Sequence, residues 1–381
     1  MLEVRVEPMA QVEGHAGLGR LAGAAFGFSA DVGLFVPPEA EALRQRWLGH
    51  LEEAVRRHGT GRIRVIETGS VPDAHVFGAR MIAMSGGVIL RKTVQRPKRL
   101  AGLRPGGWTP EMPAIYNGRG TLSIAEPELP RPGERTAYLL GQATFDNYYH
   151  WLVEIIPRIP LMKAALAFGM QLVGPPLKQE FQRQSLRFHG LDPASILEIR
   201  RPWRFPRCVV STPFAAGNTW LSSEIARFFR AGGAGGAGGA AGASGVGSRR
   251  IYITRRAARN RRVLNEDELL PMLLARGFEV VALEAMDFAE QVRLFADAAC
   301  IIGPHGAGLA NMVHAPAGAR VIELLHDSFE AGATSYYALS QLFGFRYSLV
   351  VGPARPGGEA GANADFVIPP ALLGSAMADL A

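Results

Sequence analysis

Arginine residues are concentrated in one short stretch of this sequence, where their number and spacing suggest anion binding. The members, all within eight residues, are Arg255, Arg256, Arg259, Arg261 and Arg262. Guanidinium groups this close repel one another, and a bound polyanion such as a phosphate chain would relieve that repulsion. The alternative is a solvated loop of surface arginines without a ligand.

A glycine-rich turn follows about forty residues later, at 303–311 with the sequence GPHGAGLAN. Small residues let a ligand approach the backbone, and the free N–H groups of a helix start favour an anion. Gly306, Ala307 and Gly308 would supply these groups, and His305 would add a donor or a positive charge. The alternative is a tight turn that only packs a helix on a strand.

Glu323 interrupts the apolar run RVIELL near its carboxyl end. A carboxylate in a buried strand needs a partner or a function. A ligand hydroxyl, such as that of a ribose, would satisfy Glu323, and an internal arginine would do so equally well.

A third group of polar residues lies upstream, in the segment FDNYYHWLVE at 145–154. In a helix, Asn147, His150 and Glu154 would share one face within about 60°. Glu154 could orient His150, which could then take a proton from a sugar hydroxyl. The alternatives are a core histidine satisfied by Glu154, or a metal site, for which the local sequence supplies no third ligand.

Strands and helices alternate through the C-terminal part of the chain and would position the first two groups. Strands are predicted at 250–254, 278–283, 299–303 and 320–325. Asn265 with Glu268, and Asp287 with Glu290, predict helix starts of the capping-box type, and Gly277 predicts a helix end. This alternation predicts a doubly wound parallel sheet, in which ligands bind at the carboxyl ends of the strands.

The N-terminal part of the sequence is less regular. Residues 40–58 predict an amphipathic helix and residues 62–67 a strand, and short strands and loops are expected between 74 and 140. The Gly/Ala-rich stretch at 231–248 predicts a flexible linker or loop, and its formal GxGxxG match is rejected because no strand precedes it. The predicted domains are therefore 1–230 on the acceptor side, a linker at 231–248, and a nucleotide-binding domain at 249–381 whose last segment packs back on the first domain.

The bulk composition favours a soluble enzyme. The chain has 381 residues, 48% hydrophobic and 20% charged, with a formal net charge of +7. We see no signal peptide and no apolar run long enough to span a bilayer, so a cytoplasmic location is expected, with peripheral association at the inner membrane face through the positive charge. No nucleic-acid-binding motif is found, and the Asp-x-Asp, GxSxG and P-loop patterns are also missing.

Two segments together resemble a known family. The stretch YITRRAARNRRVLNEDELL, followed by FEVV and FAEQVRLFADAACIIGPHGAGLANMVHAPAGARVIEL, is similar to glycosyltransferase family 61, whose bacterial members are often labelled capsular polysaccharide biosynthesis proteins. The upstream NYYHWLVEIIPR resembles the other marked segment of that family. The two motifs occur in the expected order, and the resemblance covers roughly residues 138–350.

The resemblance implies a GT-B-like architecture of two Rossmann-like domains facing a cleft. It also implies inverting transfer from a nucleotide sugar, with no cofactor and no obligatory metal; a uridine diphosphate sugar is a guess from the family. Arg255 and Arg262 would hold the donor pyrophosphate, and His305 with the residues after it would line the nucleotide site. Glu323 is also predicted to bind the donor.

The other half of the predicted site serves the acceptor, a glycan or glycolipid of a surface or capsular polysaccharide. His150 is predicted as the base, with Glu154 as its partner, and Asn147 and Tyr148 lie on the acceptor side. The alternative functions are a nucleotide-sugar epimerase, a nicotinamide-dependent oxidoreductase, and a non-catalytic scaffold of a polysaccharide assembly complex.

Overall fold

The structure is a computed structural model, and it describes most of the C-terminal half and parts of the N-terminal half. The described residues are 2–7, 20–21, 33–37, 40–59, 66–77, 82–85, 88–90, 114–116, 121–124, 133–141, 146–200, 203–211, 214–215, 221–232, 247–329, 335–356 and 361–380. The chain divides into two compact units. Unit 1 comprises residues 1–23 and 64–217, and unit 2 comprises residues 24–63 and 218–381.

Strands are numbered in chain order through both units. They are β1 (Leu2–Glu7), β2 (Arg20–Leu21), β3 (Gly33–Phe35), β4 (Ile66–Phe77), β5 (Ile82–Ser85), β6 (Val88–Leu90), β7 (Ala114–Tyr116), β8 (Thr121–Ile124), β9 (Ala137–Leu139), β10 (Gln171–Gly174), β11 (Ile196–Glu198), β12 (Trp203–Ser211), β13 (Arg249–Ile253), β14 (Phe278–Val281), β15 (Ala298–Pro304), β16 (Arg320–His326) and β17 (Arg346–Gly352).

The α-helices are numbered in the same way. They are α1 (Glu41–Gly59), α2 (Tyr148–His150), α3 (Ile159–Ala167), α4 (Glu180–Phe188), α5 (Ser223–Arg230), α6 (Glu266–Ala275), α7 (Phe288–Ala296), α8 (Ser335–Phe343) and α9 (Pro370–Ala376). A π-helical turn (Trp151–Ile155) and a 3₁₀ turn (Ile156–Arg158) join α2 to α3, and a longer 3₁₀ helix (Ala307–His314) follows β15.

Unit 2 is built on a parallel sheet with the strand order β14-β13-β15-β16-β17-β3 in its described part. All of its described pairings are parallel, which confirms the predicted parallel α/β sheet. The chain moves outward from β13 in one direction to β14, and then in the other direction to β15, β16 and β17. Neighbouring loops at the carboxyl ends of β13 and β15 therefore leave on opposite sides of the sheet, which creates a crevice between them.

The three helix boundaries predicted in unit 2, at Asn265, Gly277 and Asp287, are confirmed. The Asp287 side chain accepts a hydrogen bond from Glu290 N, and the Glu290 side chain accepts one from Asp287 N, so this capping box is confirmed. Gly277 has φ +74 directly after α6, as the predicted helix end requires. The helix starts at Asn265 as predicted, with this residue as its N-cap, but its capping box is wrong. The Asn265 side chain accepts from Ile368 N and donates to Ile368 O and Glu268 Oε2, so it caps no helix N–H.

The edge of this sheet is completed by an early part of the chain. β3 pairs in parallel with β17 through Leu34 and Leu349, so residues 24–63 belong to unit 2 together with α1. The predicted helix over 40–58 is confirmed as α1, with Trp47 and Leu51 buried. These unit ranges differ from the predicted boundaries, since unit 2 takes in both the β3–α1 segment and α5, and most of the predicted linker at 231–248 lies outside the described residues.

Unit 1 contains a mixed sheet with the order β11-β10-β9-β12-β4-β5-β6-β1-β8-β7, and β2 pairs with β4. β9, β10, β11 and β12 run parallel, whereas β4 is antiparallel to both β12 and β5. Of the predicted strand at 62–67, the last two residues begin β4 and the others lie outside the described residues. Within the described parts of both units, we find no helix with the length and apolarity needed to cross a bilayer.

Gly352, at the end of β17, is required by a close backbone approach. A Cβ at this position would lie 1.9 Å from the carbonyl oxygen of Val367, whose N–H is held by Pro353 O. We therefore expect Gly352→Ala to lower the free energy of unfolding by about 1–3 kcal/mol, because the segment would have to shift. Urea denaturation measures this effect.

Gly49→Ala is the matched control, because no heavy atom lies within 4 Å of a Cβ placed there on α1. Alanine favours a helix over glycine by up to about 1 kcal/mol, so this variant should equal or exceed the wild type in stability. Equal stabilities for the two variants would contradict the predicted close contact at Gly352.

Candidate functional site

The crevice between β13 and β15 in unit 2 brings together the two predicted anion-binding segments. The arginine-rich loop leaves the end of β13 at Thr254, and His305 follows directly after β15. Since β13 and β15 are parallel neighbours, both loops lie at the same edge of the sheet.

The five arginines of the loop have different environments. Arg256 pairs with Glu266 and Asp267, and Arg262 pairs with Asp365 at 2.6 Å. Arg259 is exposed, whereas Arg255 and Arg261 are partly buried. Within the described part of the chain, the two partly buried guanidinium groups of this loop for which no ion pair is found are therefore Arg255 and Arg261.

Arg255 and Arg261 are held as incompletely satisfied charges. Burial lowers the pKa of Arg255, and the charge of Arg261 lowers it further; burial is also the main cause that lowers the pKa of Arg261. Arg255 donates to Asn260 O at 3.1 Å, but the Nε atoms of both arginines are buried without a hydrogen-bond partner among the described residues. Such groups commonly mark the position of a bound ion.

Arg261 was not singled out from the other arginines by the sequence. Its backbone has φ +55, a left-handed conformation that is uncommon for a residue other than glycine. This conformation separates the directions of consecutive side chains, so that Arg261 lies near Arg255 while Arg262 turns to Asp365. The sequence signal was only the number of arginines, which gave no means of ranking Arg261 against Arg262.

Gly306 allows Arg255 to approach the glycine-rich turn. A Cβ on Gly306 would lie 2.3 Å from Nη1 and 2.9 Å from Cζ of Arg255. The Gly306 carbonyl accepts from Tyr336 OH at 2.5 Å and from Leu309 N at 3.0 Å, which fixes the start of the 3₁₀ helix. Ala307 and Gly308 follow in its first turn and are partly exposed.

His305 is fixed by a buried carboxylate. Its Nδ1 bonds Glu323 Oε1, and Tyr347 OH donates to Glu323 Oε2. Burial, with the Glu323 charge second, raises the pKa of Tyr347 well above its usual value, so the hydroxyl remains a donor. Both Glu323 oxygens thus have internal partners, and the predicted contact with a ligand hydroxyl would require one of these bonds to break.

In unit 1, His150 forms a second pair of the same kind. His150 Nδ1 lies 2.7 Å from Glu154 Oε1, with the Glu154 side chain 2% exposed and the His150 side chain 20% exposed. Among the described residues, no partner is found for His150 Nε2. The imidazole is thus oriented by the carboxylate, and its second nitrogen remains available to a substrate.

The backbone around His150 is irregular. Asn147 Oδ1 accepts from His150 N at 3.3 Å and caps the short α2, and the π-helical turn begins at the next residue, Trp151. Turns of this type are rare and occur frequently at functional sites. Tyr148 is partly buried and meets Phe181 edge to face with ring centroids 5.0 Å apart.

A buried arginine that contacts the backbone of Glu154 was not predicted as a functional residue from the sequence. Arg158 donates to Glu154 O at 2.8 Å and to Ser211 Oγ at 2.9 Å. Burial lowers the pKa of Arg158, against the opposing influence of Tyr138 and Glu154. Its spacing of four residues from Glu154 was the available signal. No cluster of three or more metal-ligating side chains is found in the described parts of the chain.

Comparison with known proteins gives a match in the region that contains most of these residues. Residues 148–322 match the family model Glycosyltransferase 61. The matched range includes His150, Glu154, Arg158, the arginine-rich loop and His305, and it ends one residue before Glu323.

Three relatives illustrate the similarity. A protein O-linked-mannose beta-1,4-N-acetylglucosaminyltransferase 2 from Canis lupus familiaris is 44% identical over 69 residues, which is 17% of this chain and 12% of the relative. The Mus musculus protein of that name is 35% identical over 118 residues, 27% of this chain and 20% of the relative. An EGF domain-specific O-linked N-acetylglucosamine transferase from Drosophila melanogaster is 35% identical over 125 residues, 30% of this chain and 23% of the relative. The chain thus spans less than a quarter of the length of each of these relatives.

The contact between Arg255 and Gly306 leads to a prediction about anion binding. In Gly306→Ala the new methyl would displace the Arg255 guanidinium, so we expect inorganic pyrophosphate to bind roughly tenfold or more weakly, as for the loss of a charge-assisted hydrogen bond. Isothermal titration at low salt measures this affinity.

Gly308→Ala is the control, because its new methyl would meet only the flexible end of Leu283, at 2.8 Å. Pyrophosphate should bind this variant as tightly as the wild type. Unchanged affinity in Gly306→Ala would remove Arg255 from the anion site.

Proposed function

We propose, from the similarity of residues 148–322 to Glycosyltransferase 61, that this chain transfers a sugar from a nucleotide-sugar donor to a hydroxyl acceptor. The observation that carries the proposal is the pair of partly buried guanidinium groups, Arg255 and Arg261, whose Nε atoms have no partner among the described residues at the switch point of the parallel sheet. A nucleotide sugar has the diphosphate that such a pair would bind.

The donor diphosphate is assigned to Arg255 and Arg261, with the N–H groups at the start of the 3₁₀ helix after Gly306. The resemblance to the family favoured Arg262 for the second arginine, but the ion pair with Asp365 engages that side chain. Burial tends to raise the pKa of Asp365, but the hydrogen bonds and charge of Arg262 outweigh it and lower this pKa. For Arg261, no ion pair with a carboxylate is found among the described residues, which supports it as the phosphate ligand.

The acceptor is activated by His150. Its Nε2 takes the hydroxyl proton while Glu154 holds Nδ1, and the acceptor oxygen forms a bond to the anomeric carbon. The bond from that carbon to the diphosphate oxygen breaks, and its electron pair leaves with the nucleoside diphosphate. Arg255 and Arg261 stabilise the charge that develops on this leaving group. A single displacement of this kind inverts the anomeric configuration.

The identities proposed for the donor sugar and for the acceptor rest on different observations. The names of the relatives describe N-acetylglucosamine transfer, in one case to protein O-linked mannose and in the other as an EGF domain-specific O-linked transfer. This supports an N-acetylhexosamine donor, and the family resemblance favours uridine diphosphate as its nucleotide. The resemblance to bacterial family members supports a glycan or glycolipid acceptor in surface or capsular polysaccharide synthesis. The GT-B-like arrangement and the cytoplasmic location at the inner membrane face remain predictions.

Donor binding is tested by comparing single arginine variants. Nucleotide sugars of the uridine, guanosine, cytidine and adenosine series should include one that raises the melting temperature of the wild type. That shift should be lost in Arg255→Ala and in Arg261→Ala, because each variant removes a guanidinium from the diphosphate.

Arg262→Ala is the matched control, since it removes the adjacent arginine and its partly buried ion pair with Asp365. It should retain the ligand-induced shift. Loss of the shift in Arg262→Ala but not in Arg261→Ala would restore the assignment based on the family resemblance, and absence of any shift in the wild type would contradict the donor site.

The base is tested separately. His150→Ala should lower the transfer rate by about 10²–10⁴-fold because the acceptor hydroxyl keeps its proton. Release of nucleoside diphosphate is measured with aryl glycosides and hydroxyl-bearing peptides as acceptors. The donor-induced melting shift should persist in this variant, and an unchanged transfer rate would exclude His150 as the base.

A further inference from the structure

We propose that His305 takes up a proton when the donor diphosphate binds, and that Glu323 and Tyr347 are positioning residues for this step. The protonated Nε2 then donates to the diphosphate and stabilises it as the leaving group. The inference rests on the proposed donor site and adds to it a residue-specific coupling between donor binding and protonation.

The hydrogen bonds around Glu323 determine which nitrogen of His305 titrates. Tyr347 is buried and donates to one carboxylate oxygen, which leaves the other for His305 Nδ1. Nδ1 therefore carries a hydrogen in both the neutral and the charged imidazole. The proton that is gained or lost is on Nε2, for which no partner is found among the described residues.

The charges that face His305 come from several elements. Arg255 and Arg261 are contributed by the loop after β13, Glu323 and the neutral His326 by β16, Tyr347 by β17 and Tyr336 by α8. Further carboxylates that act on these groups are Glu284, Asp327 and Asp365. The Tyr336 ring meets His305 edge to face at 5.1 Å, and Phe329 lies 4.5 Å from it. These two rings limit the access of water to the imidazole, so nearby charges act on it with little screening.

The balance of these charges changes when a diphosphate arrives. Before binding, Arg261 interacts electrostatically with Glu323, and Arg255 interacts with Glu284 and Asp365. A diphosphate bound by Arg255 and Arg261 adds negative charge near Nε2 of His305, and this charge favours the imidazolium. Proton uptake and donor binding therefore reinforce each other, and the coupling acts equally in both directions.

A protonated His305 would contribute directly to the departure of the diphosphate. As the bond to the anomeric carbon breaks, its electron pair moves to the diphosphate oxygen, and the Nε2 hydrogen forms a stronger bond to that oxygen. No proton has to leave His305 in this step. Glu323 maintains the imidazolium through Nδ1 and does not touch the substrate.

Calorimetric titration measures the proton uptake. Nucleotide sugars of the four series are used as probes, because their diphosphate is a diester and lacks the ionisation near pH 6 of a terminal phosphate. The binding enthalpy at pH 7 is measured in buffers of different ionisation enthalpy. The slope of the observed binding enthalpy against the buffer ionisation enthalpy gives the number of protons exchanged. For the wild type we expect uptake of up to about one proton per donor, with affinity falling up to about tenfold per pH unit above neutral.

The variants separate His305 from its neighbours. His305→Gln and Glu323→Gln should bind the donor without proton uptake and with an affinity independent of pH, whereas Tyr347→Phe should retain a reduced uptake. His326→Gln is the control: burial lowers the pKa of His326, so it stays neutral and its replacement should leave the uptake unchanged. Thermal unfolding of each variant confirms that it is folded.

Each outcome decides one question. Saturable donor binding to the wild type without proton uptake would overturn the inference and leave the proposed function intact. Failure of every nucleotide sugar to bind would instead overturn the donor site itself. Proton uptake that survives in His305→Gln and disappears in His326→Gln would show that His326 takes up the proton, and this would refute the inference.

Discussion

The close approach of the Arg255 guanidinium to the Gly306 backbone is the contact on which the candidate donor site depends. It joins the loop after β13 to the turn after β15, and it is possible because Gly306 has no side chain. The direction of the Gly306 carbonyl, the start of the 3₁₀ helix and the positions of Tyr336 and Arg261 are all set around this contact. A site formed in this way leaves Arg255 and Arg261 with incomplete hydrogen bonding, and an anionic ligand would stabilise both guanidinium groups.

The two units each contain a histidine held through Nδ1 by a buried glutamate, yet their surroundings differ. The His150–Glu154 pair in unit 1 is backed by Arg158, which bonds the helix backbone and Ser211. The His305–Glu323 pair in unit 2 lies beside Arg255 and Arg261, whose Nε atoms have no hydrogen-bond partner in the described part of the chain. The same local geometry thus occurs beside different charges in the two units.

The sequence predicted the parts of the fold that depend on local signals. Strand alternation, the capping box at Asp287 and the helix end at Gly277 were predictable because each depends on neighbouring residues. The failed capping box at Asn265 has a long-range cause, since Ile368 competes for its amide. The distinction between Arg261 and Arg262 was likewise beyond a pattern of residue types, because one left-handed backbone angle and the distant Asp365 decide it. The carboxylate partners of both histidines, Glu154 and Glu323, were among the predicted site residues. Tyr347 and Arg158 were not predicted, because only the packing of the folded chain places them beside these glutamates.

The pairing of β3 with β17 makes unit 2 discontinuous in sequence, and this has a consequence for synthesis of the protein. The parallel sheet receives an edge strand from near the start of the chain, but its partner strand is translated near the end. Until then β3 and α1 have no sheet to join, and they must remain uncommitted while unit 1 emerges from the ribosome. During this interval the apolar residues of α1, including Trp47, are without their final packing, and on its own β17 would present an open edge. Chaperone binding would therefore be most useful to this protein during its synthesis, before β17 is available to pair with β3.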